Sequence, residues 1–230
     1  MRRYKPRKKV FFDWSPHLAY VVGLIATDGC LSGNHKNIIF TSKDIEQIGN
    51  SKLILNLKGK VGFTRNNKLG TESYRIQFSN VQLYDWLLSI GLTSNKSLTL
   101  GSLDIPDKYF IDFLRGHLDG DGSVTTYIDY YNTKKKASYI YRRMWVRFIS
   151  ASKLHIDWLH DKITKLTGIH APIHTTKISR PNQNPMYIIK FAKKDSLKLL
   201  ARIYYAENIP CLSRKRLIYT NFLKSSSVER

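Results

Sequence analysis

The sequence predicts an α+β protein built from two copies of one αββαββα unit, and three observations predict it. Two short apolar helix patterns, each with one internal glycine, run into Asp-Gly: Tyr20 to Gly29 and Phe113 to Gly122. Their glycines (Gly23, Gly116) and their acids (Asp28, Asp121) are each 93 residues apart. Strand and helix patterns then follow in the same order in both halves. Each half also closes on a similar string, Ser94-Asn95-Lys96-Ser97-Leu98 against Ser213-Arg214-Lys215-Arg216-Leu217.

The elements can be justified in order. Residues 1–12 read as a flexible basic arm, with six Lys and Arg in the first nine positions and little to pack. The first unit takes residues 13–100. Ser15-Pro16 opens its helix, because Ser caps free N–H groups and Pro tolerates the first helical position. Asp28-Gly29 closes it, with Gly29 expected in the left-handed conformation of a helix C-terminus. Extended sequence follows, including Asn37 to Ser42. A helix is expected over Asp44–Leu57 from the spacing of Ile45, Ile48, Leu53 and Leu57. Strands around Val61–Thr64 and Tyr74–Phe78, turned through Asn66 to Gly70, and a helix over Val81–Ser89 complete the unit.

Residues 101–105 read as a linker, 106–224 as the second unit and 225–230 as a tail. Pro106 is expected to open the second motif helix. Strands from Val124, a helix over Lys153–Leu166, strands near Ile173 and Tyr187–Phe191 and a helix from Asp195 repeat the order. Asp28 to Lys96 spans 68 residues and Asp121 to Lys215 spans 94. Two longer hairpin loops, Tyr131–Ser138 and Lys177–Met186, account for the difference.

Composition narrows the chemistry. At 230 residues the chain can bury a sizeable core, and 42% hydrophobic residues exclude a disordered basic tail protein. Lys and Arg number 38 against 17 Asp and Glu, so a net charge of +21 asks for a polyanionic partner. The longest apolar stretch, Leu18–Ala26, is about half of what a bilayer requires, so no membrane partner is expected. No secretory signal is visible, and Cys30 and Cys211 lack metal-ligand spacing; both suit an intracellular protein.

The glycines carry a physical argument. Glycine inside a helix costs about 1 kcal/mol against alanine, so its repetition needs a reason. Ala19, Gly23 and Thr27, and Gly116 and Gly120, lie at i, i+4 spacing and would let two helix backbones approach closely. That brings Asp28 and Asp121 together at helix C-termini, where both the dipole and the neighbouring charge disfavour carboxylates. Divalent cations remove both penalties. A bare Asp-Gly is also a common turn signal; two copies in register on a basic chain are not explained by turns alone.

The two motifs resemble those of the LAGLIDADG homing endonucleases in the single-chain, two-motif form. Val21 to Gly29 matches the nine-letter signature with Ala26 in place of the first acid. Leu114 to Gly122 keeps both acids, Asp119 and Asp121. The resemblance implies a β-saddle of two sheets with the motif helices packed at its centre. It also implies a metal-dependent nuclease that cuts both strands of a long asymmetric duplex DNA as a monomer. Asp28 and Asp121 would be its metal ligands, helped by the backbone of Thr27 and Gly120. Mg²⁺ or Mn²⁺ would be the cofactor, with Ca²⁺ supporting binding without cutting. Lys96 and Lys215 would polarise the attacking water or neutralise phosphate charge. Ser42, Lys43 and Ser150 fall where the family places a water-organising residue, although the commoner Gln is absent there.

DNA contacts are expected from alternating strands. Arg75 and Gln77 alternate with Tyr74, Ile76 and Phe78, and Arg143, Trp145 and Arg147 alternate with Met144, Val146 and Phe148. Lys190 sits between Ile189 and Phe191. Arg and Gln are the side chains that read guanine and adenine edges. Lys134, Lys135, Lys136 and Arg180 in the loops, and Arg214 and Arg216 in the exit, add basic contacts; a plain phosphate contact is an equal reading of Lys215. Two other functions fit the same fold: an intron maturase, whose partner is its host intron RNA, and a DNA-binding regulator.

Overall fold

The computed structural model describes residues 12–66, 70–178, 180–181 and 183–227; residues 1–11 of the basic arm and 228–230 of the tail lie outside them. Helix α1 (Pro16–Asp28) starts as its sequence dictates, with Ser15 Oγ accepting from the Leu18 N–H at 3.1 Å. Strands β1 (Gly29–Leu31) and β2 (Asn37–Ser42), helix α2 (Ile45–Ile54), strands β3 (Gly62–Asn66) and β4 (Thr71–Ser79) and helix α3 (Val81–Ser89) follow. The second half runs through α4 (Phe110–Asp119), β5 (Ser123–Asp129), β6 (Tyr141–Ser150), α5 (Lys153–Thr167), β7 (Ile173–Thr175), β8 (Tyr187–Phe191), α6 (Lys193–Ile203) and α7 (Ser213–Ser227). Each half builds one antiparallel four-stranded sheet, in the matching orders β1-β2-β4-β3 and β5-β6-β8-β7. The duplication read from two Asp-Gly helices is a duplication of topology.

Helices α1 and α4 pack directly on each other at the centre. A Cβ added to Gly23 would lie 2.7 Å from the His117 backbone nitrogen and closer still to the Phe113 carbonyl oxygen. One added to Gly116 would lie 2.9 Å from the Tyr20 carbonyl carbon and closer still to its oxygen. Only hydrogen fits at either place, which is the close approach the small-residue spacing called for. The apolar faces of both sheets close over this pair, with Phe40 and Ile76 buried on one side and Met144, Val146 and Phe148 on the other.

Three local expectations are corrected. Helix α2 stops at Ile54, and its Ile45 and Leu53 are 57% and 82% exposed. Its inward face keeps Ile48 and adds Gln47 and Ser51, and Gln47 meets a carbonyl at the end of α4. Gly29 is extended (φ −86°, ψ 155°) and leads straight into β1. Its need for glycine is steric, since a Cβ there would sit 2.6 Å from the Ile25 Cα. Pro106 precedes a 3-10 turn, Asp107–Tyr109, and the α-helix proper begins at Phe110. Lys96 lies in a turn, whereas Lys215 is in the first turn of α7.

Candidate active site

Asp28 ends α1 and Asp121 lies two residues beyond α4, so the central helix pair delivers both acids to one place. Thr27 and Gly120 meet there: a Cβ on Gly120 would lie 2.6 Å from the Thr27 Cβ and 3.2 Å from Asp28 Oδ2. The Thr27 hydroxyl donates to its own helix, towards the carbonyls of Leu24 (3.0 Å) and Gly23 (3.2 Å). Burial first, and then the charge of Asp121, push the Asp28 carboxyl up to about 7. Burial also raises Asp121, against the nearby ammonium groups of Lys96 and Lys215. Two buried carboxyls that resist ionising together carry a penalty that a divalent cation would relieve.

Both exit lysines are drawn inside. The Lys215 ammonium donates to the carbonyls of Leu118 (2.7 Å), Asp119 (2.8 Å), Gly120 (3.3 Å) and Gly122 (2.7 Å), and so caps the end of α4. Lys96 donates to the Gly29 carbonyl at the matching end of α1. Burial lowers both ammonium groups, Lys215 to about 8. A cation at a helix C-terminus offsets the dipole that burdens the neighbouring acid. Each lysine also faces the other half's acid: Lys96 shares a cleft with Asp121, and among the lysines Lys215 acts most strongly on Asp28. The reading of Lys215 as a solvated phosphate contact is therefore corrected, because its side chain is buried among carbonyls.

Two clefts open at the acids. One, of about 360 Å³, holds Asp28 with Ser42, Lys43, Asp44 and Gln47; the other, of about 320 Å³, holds Asp121 with Lys96, Ser150, Ala151 and Met186. Ser42 is buried, accepts from the Asp44 N–H at 3.0 Å and donates to Gln47 Oε1. Gln47 in turn donates to the Asp119 carbonyl of α4. Sequence reading missed Gln47 because it is a helix residue five positions beyond the strand end where such a group was sought. Ser150 accepts from the Ser152 N–H at 3.1 Å, mirroring Ser42. Asp119, the extra acid of the second motif, is buried and accepts from Tyr20 Oη (3.0 Å) and the Leu212 N–H (2.7 Å). It ties α1, α4 and the start of α7 together rather than facing the cleft at Asp121.

The strand faces alternate as the sequence implied. Ile76 is buried while Arg75 and Gln77 are exposed, held to each other by an Arg75 Nη2 to Gln77 Oε1 bond of 3.0 Å. In the second sheet Arg147 pairs in register with Lys190, whose ammonium sits 3.9 Å from the Trp145 ring centroid. Arg143 is ion-paired with Asp129 at 3.0 Å. Lys134, Lys135 and Lys136 are exposed around the β5–β6 hairpin, and Arg180 is exposed in the β7–β8 loop. Arg214 and Arg216 each also have partners within the protein. Arg214 is bidentate to Asp44 (2.9 and 2.8 Å), and Arg216 donates to the carbonyls of Glu207 (2.7 Å) and Ala206 (2.9 Å).

The donor set fits Mg²⁺ or Mn²⁺. Two hard carboxylates suffice for an ion that takes its remaining ligands from water and phosphate. The fit has a pH consequence. The Asp28 carboxyl is raised from 3.8 to about 7 on folding, so the stability that its protonated form contributes without a cation is fully present below about pH 4 and is lost as pH rises through about 7. A bound cation must displace that proton. The rise in Tm produced by Mg²⁺ or Ca²⁺ should therefore grow between about pH 5.5 and about pH 8. Equal cation shifts at both pH values would remove Asp28 from the ligand set.

No protein-family model matches the chain. It is 24% identical over 181 residues to an uncharacterized protein of Methanocaldococcus jannaschii; the match takes in 76% of this chain but 64% of that protein, so the chain spans under two thirds of this relative's length. Among solved structures, I-DmoI in complex with DNA and Mn superposes with a TM-score of 0.53 at 17% identity, over 84% of this chain and 98% of that one. The homing endonuclease I-WcaI, bound to its DNA recognition sequence, gives 0.56 at 14% identity over 90% and 88%. The N-terminal LAGLIDADG domain of DUF199/WhiA gives 0.53 at 16% identity over 84% and 83%. At these identities the likeness is one of fold, and the fold is the LAGLIDADG fold in its single-chain, two-motif form.

Proposed function

We propose that this chain is a site-specific endonuclease that hydrolyses both strands of a long, asymmetric duplex DNA target with divalent metal ions. One observation carries the reading: two acids, Asp28 and Asp121, share a charge-coupled site at the ends of packed helices, each beside a buried lysine, on a chain of net charge +21. A regulator that only bound DNA would have no use for carboxylates at a polyanion interface, where they repel phosphate. A divalent ion held by these acids would neutralise phosphate charge and lower the pKa of a bound water. Lys96 and Lys215, held at the helix ends beside the acids, would keep positive charge next to the reacting phosphate without touching it. Arg75, Gln77, Arg147 and Lys190 supply the reading face. One chain carries both half-site readers, so a monomer covers an imperfectly palindromic site.

The test is incubation with a randomised duplex library in Mg²⁺, followed by sequencing of the ends. Specific binding without cutting in Mg²⁺ or Mn²⁺ would return the chain to the regulator reading, and preferential retention of structured RNA to the maturase reading. Affinity should also fall steeply with salt, by roughly 10³–10⁵ between about 50 and 200 mM if some six to ten phosphates are contacted. Arg75→Ala should relax discrimination at one or two base pairs, by roughly 1–3 kcal/mol for a bidentate guanine contact. An unchanged base preference with a shallower salt slope would make Arg75 a phosphate contact.

A further inference from the structure

The hairpin that joins the first two strands of each sheet differs sharply between the halves. Between β1 and β2 it takes only residues 32–36, which hold no large apolar side chain. Between β5 and β6 it takes residues 130–140, and five of the chain's 14 tyrosines fall on this loop and the strand ends that carry it. Folding buries none of them: Tyr131 is 86% exposed, and Tyr127, Tyr130, Tyr139 and Tyr141 are each 40% or more. Ile140 stands half exposed among them. A cluster of large apolar side chains left in water marks a surface that something covers.

The loop is held in shape by its own hydrogen bonds. The Asp129 carboxylate accepts from the Tyr131 N–H at 2.9 Å and from Arg143 Nε at 3.0 Å, tying the tip to the facing strand. Thr133 donates to the Tyr130 carbonyl through both its N–H (3.0 Å) and its hydroxyl (2.7 Å), and the Tyr139 N–H donates to the Lys136 carbonyl at 2.9 Å. Rings on such a frame lose little freedom when they bind.

Charge identifies what covers them. Residues 130–140 include Lys134, Lys135 and Lys136 and no Asp or Glu. The Lys136 ammonium lies 5.7 Å from the Tyr139 ring centroid, and the Arg143 guanidinium 5.2 Å from that of Tyr141, so cations and ring faces are presented side by side. A duplex would satisfy the lysines with its phosphates, but it keeps its base faces stacked and offers only base edges in the grooves. Tyrosine rings stack on bases whose faces are free, which means an unpaired strand. We propose that the β5–β6 tip binds single-stranded nucleic acid, with unpaired bases stacked on Tyr130, Tyr131 and Tyr139 and their phosphates held by Lys134, Lys135 and Lys136. Tyr127 pairs in register with Arg143, and Tyr141 with Asp129, on the strand face that carries Trp145 and Arg147. The single-strand surface therefore extends outward from the duplex-reading face. The inference goes beyond the endonuclease reading and does not need cutting.

The experiment measures the affinity of the whole protein, without divalent ions, for labelled single strands of about 12 nucleotides, within the site sizes of such surfaces. The probes are oligothymidylate, oligouridylate and an abasic strand of the same length and charge. The base-bearing strands should bind about fivefold or more tightly than the abasic one, and the tighter of the two identifies DNA or RNA as the source of the strand. Tyr131→Ala should lose about fivefold or more on the base-bearing strands and nothing on the abasic one, while Tyr131→Phe keeps the wild-type affinity. Tyr130→Ala and Tyr139→Ala should behave as Tyr131→Ala does, and all three should leave affinity for duplex DNA unchanged. Lys134→Ala, Lys135→Ala and Lys136→Ala together should weaken every strand alike and flatten the salt dependence. Circular dichroism checks that each variant is folded. Equal wild-type binding of abasic and base-bearing strands, or tyrosine variants that weaken duplex binding as much as single-strand binding, would overturn the inference. Either result leaves the endonuclease reading in place, because that reading is decided by cutting of the duplex library.

Discussion

Asp28→Asn and Asp121→Asn should each abolish double-strand cutting in Mg²⁺, by a factor on the order of 10³ or more, while specific duplex affinity changes little. The substitution keeps the shape of each side chain and removes the charge a cation needs. Folding should survive it. Burial and the facing acid already favour the uncharged form of Asp28, whose carboxyl is held up to about 7, so the amide matches the state the metal-free protein prefers. At about pH 8 without divalent ions, Asp28→Asn should melt no lower than the wild type, and its Tm should no longer rise with Mg²⁺ or Ca²⁺. Loss of cutting together with loss of the cation shift assigns the residue to the metal; loss of cutting with a lowered cation-free Tm would make it structural. Full activity of either variant would remove it from the mechanism.

What the sequence made legible were features that repeat or that depend on near neighbours. The two Asp-Gly helices, their glycines, Ser15 as a cap, and the alternation of Arg75 and Gln77 with Ile76 all express local periodicity. The site's finer wiring runs between residues that no local pattern connects. Gln47 reaches Asp119, 72 positions away, and Arg214 reaches Asp44, 170 positions away. Both pairings exist only because the halves dock through α1 and α4. Helix α2 misled for the same reason. Its apolar spacing pointed to Ile45 and Leu53, but its buried face had to satisfy a carbonyl of the other half, and Gln47 won that place. The partners of Arg214 and Arg216 were likewise illegible, because charge in a sequence does not say what folds back onto it.

The docking of α1 on α4 is also where the largest loss of stability is expected, from Gly116→Ala. On an isolated helix this change stabilises by about 1 kcal/mol. Here the new Cβ would lie 2.9 Å from the Tyr20 carbonyl carbon and 3.1 Å from the Leu24 nitrogen, with the Tyr20 oxygen nearer still. Those are backbone atoms of the facing helix, so no rotamer change relieves the overlap and the two helices must move apart. Overpacking of a buried site costs about 1–3 kcal/mol and occasionally more, and an overlap with backbone belongs at the upper end. The clash should outweigh the propensity gain, for a net loss of about 2 kcal/mol and a Tm lower by roughly 4–8 °C. Separation of the helices also pulls Gly120 from Thr27, so cutting should fall even at temperatures where the variant stays folded. Gly49 in α2 supplies the control, since a Cβ there meets nothing within 4 Å. Gly49→Ala should stabilise by up to about 1 kcal/mol and leave cutting unchanged. The same substitution thus carries opposite signs at two helical glycines, and a Gly116→Ala protein as stable as the wild type would show that α1 and α4 do not meet backbone to backbone.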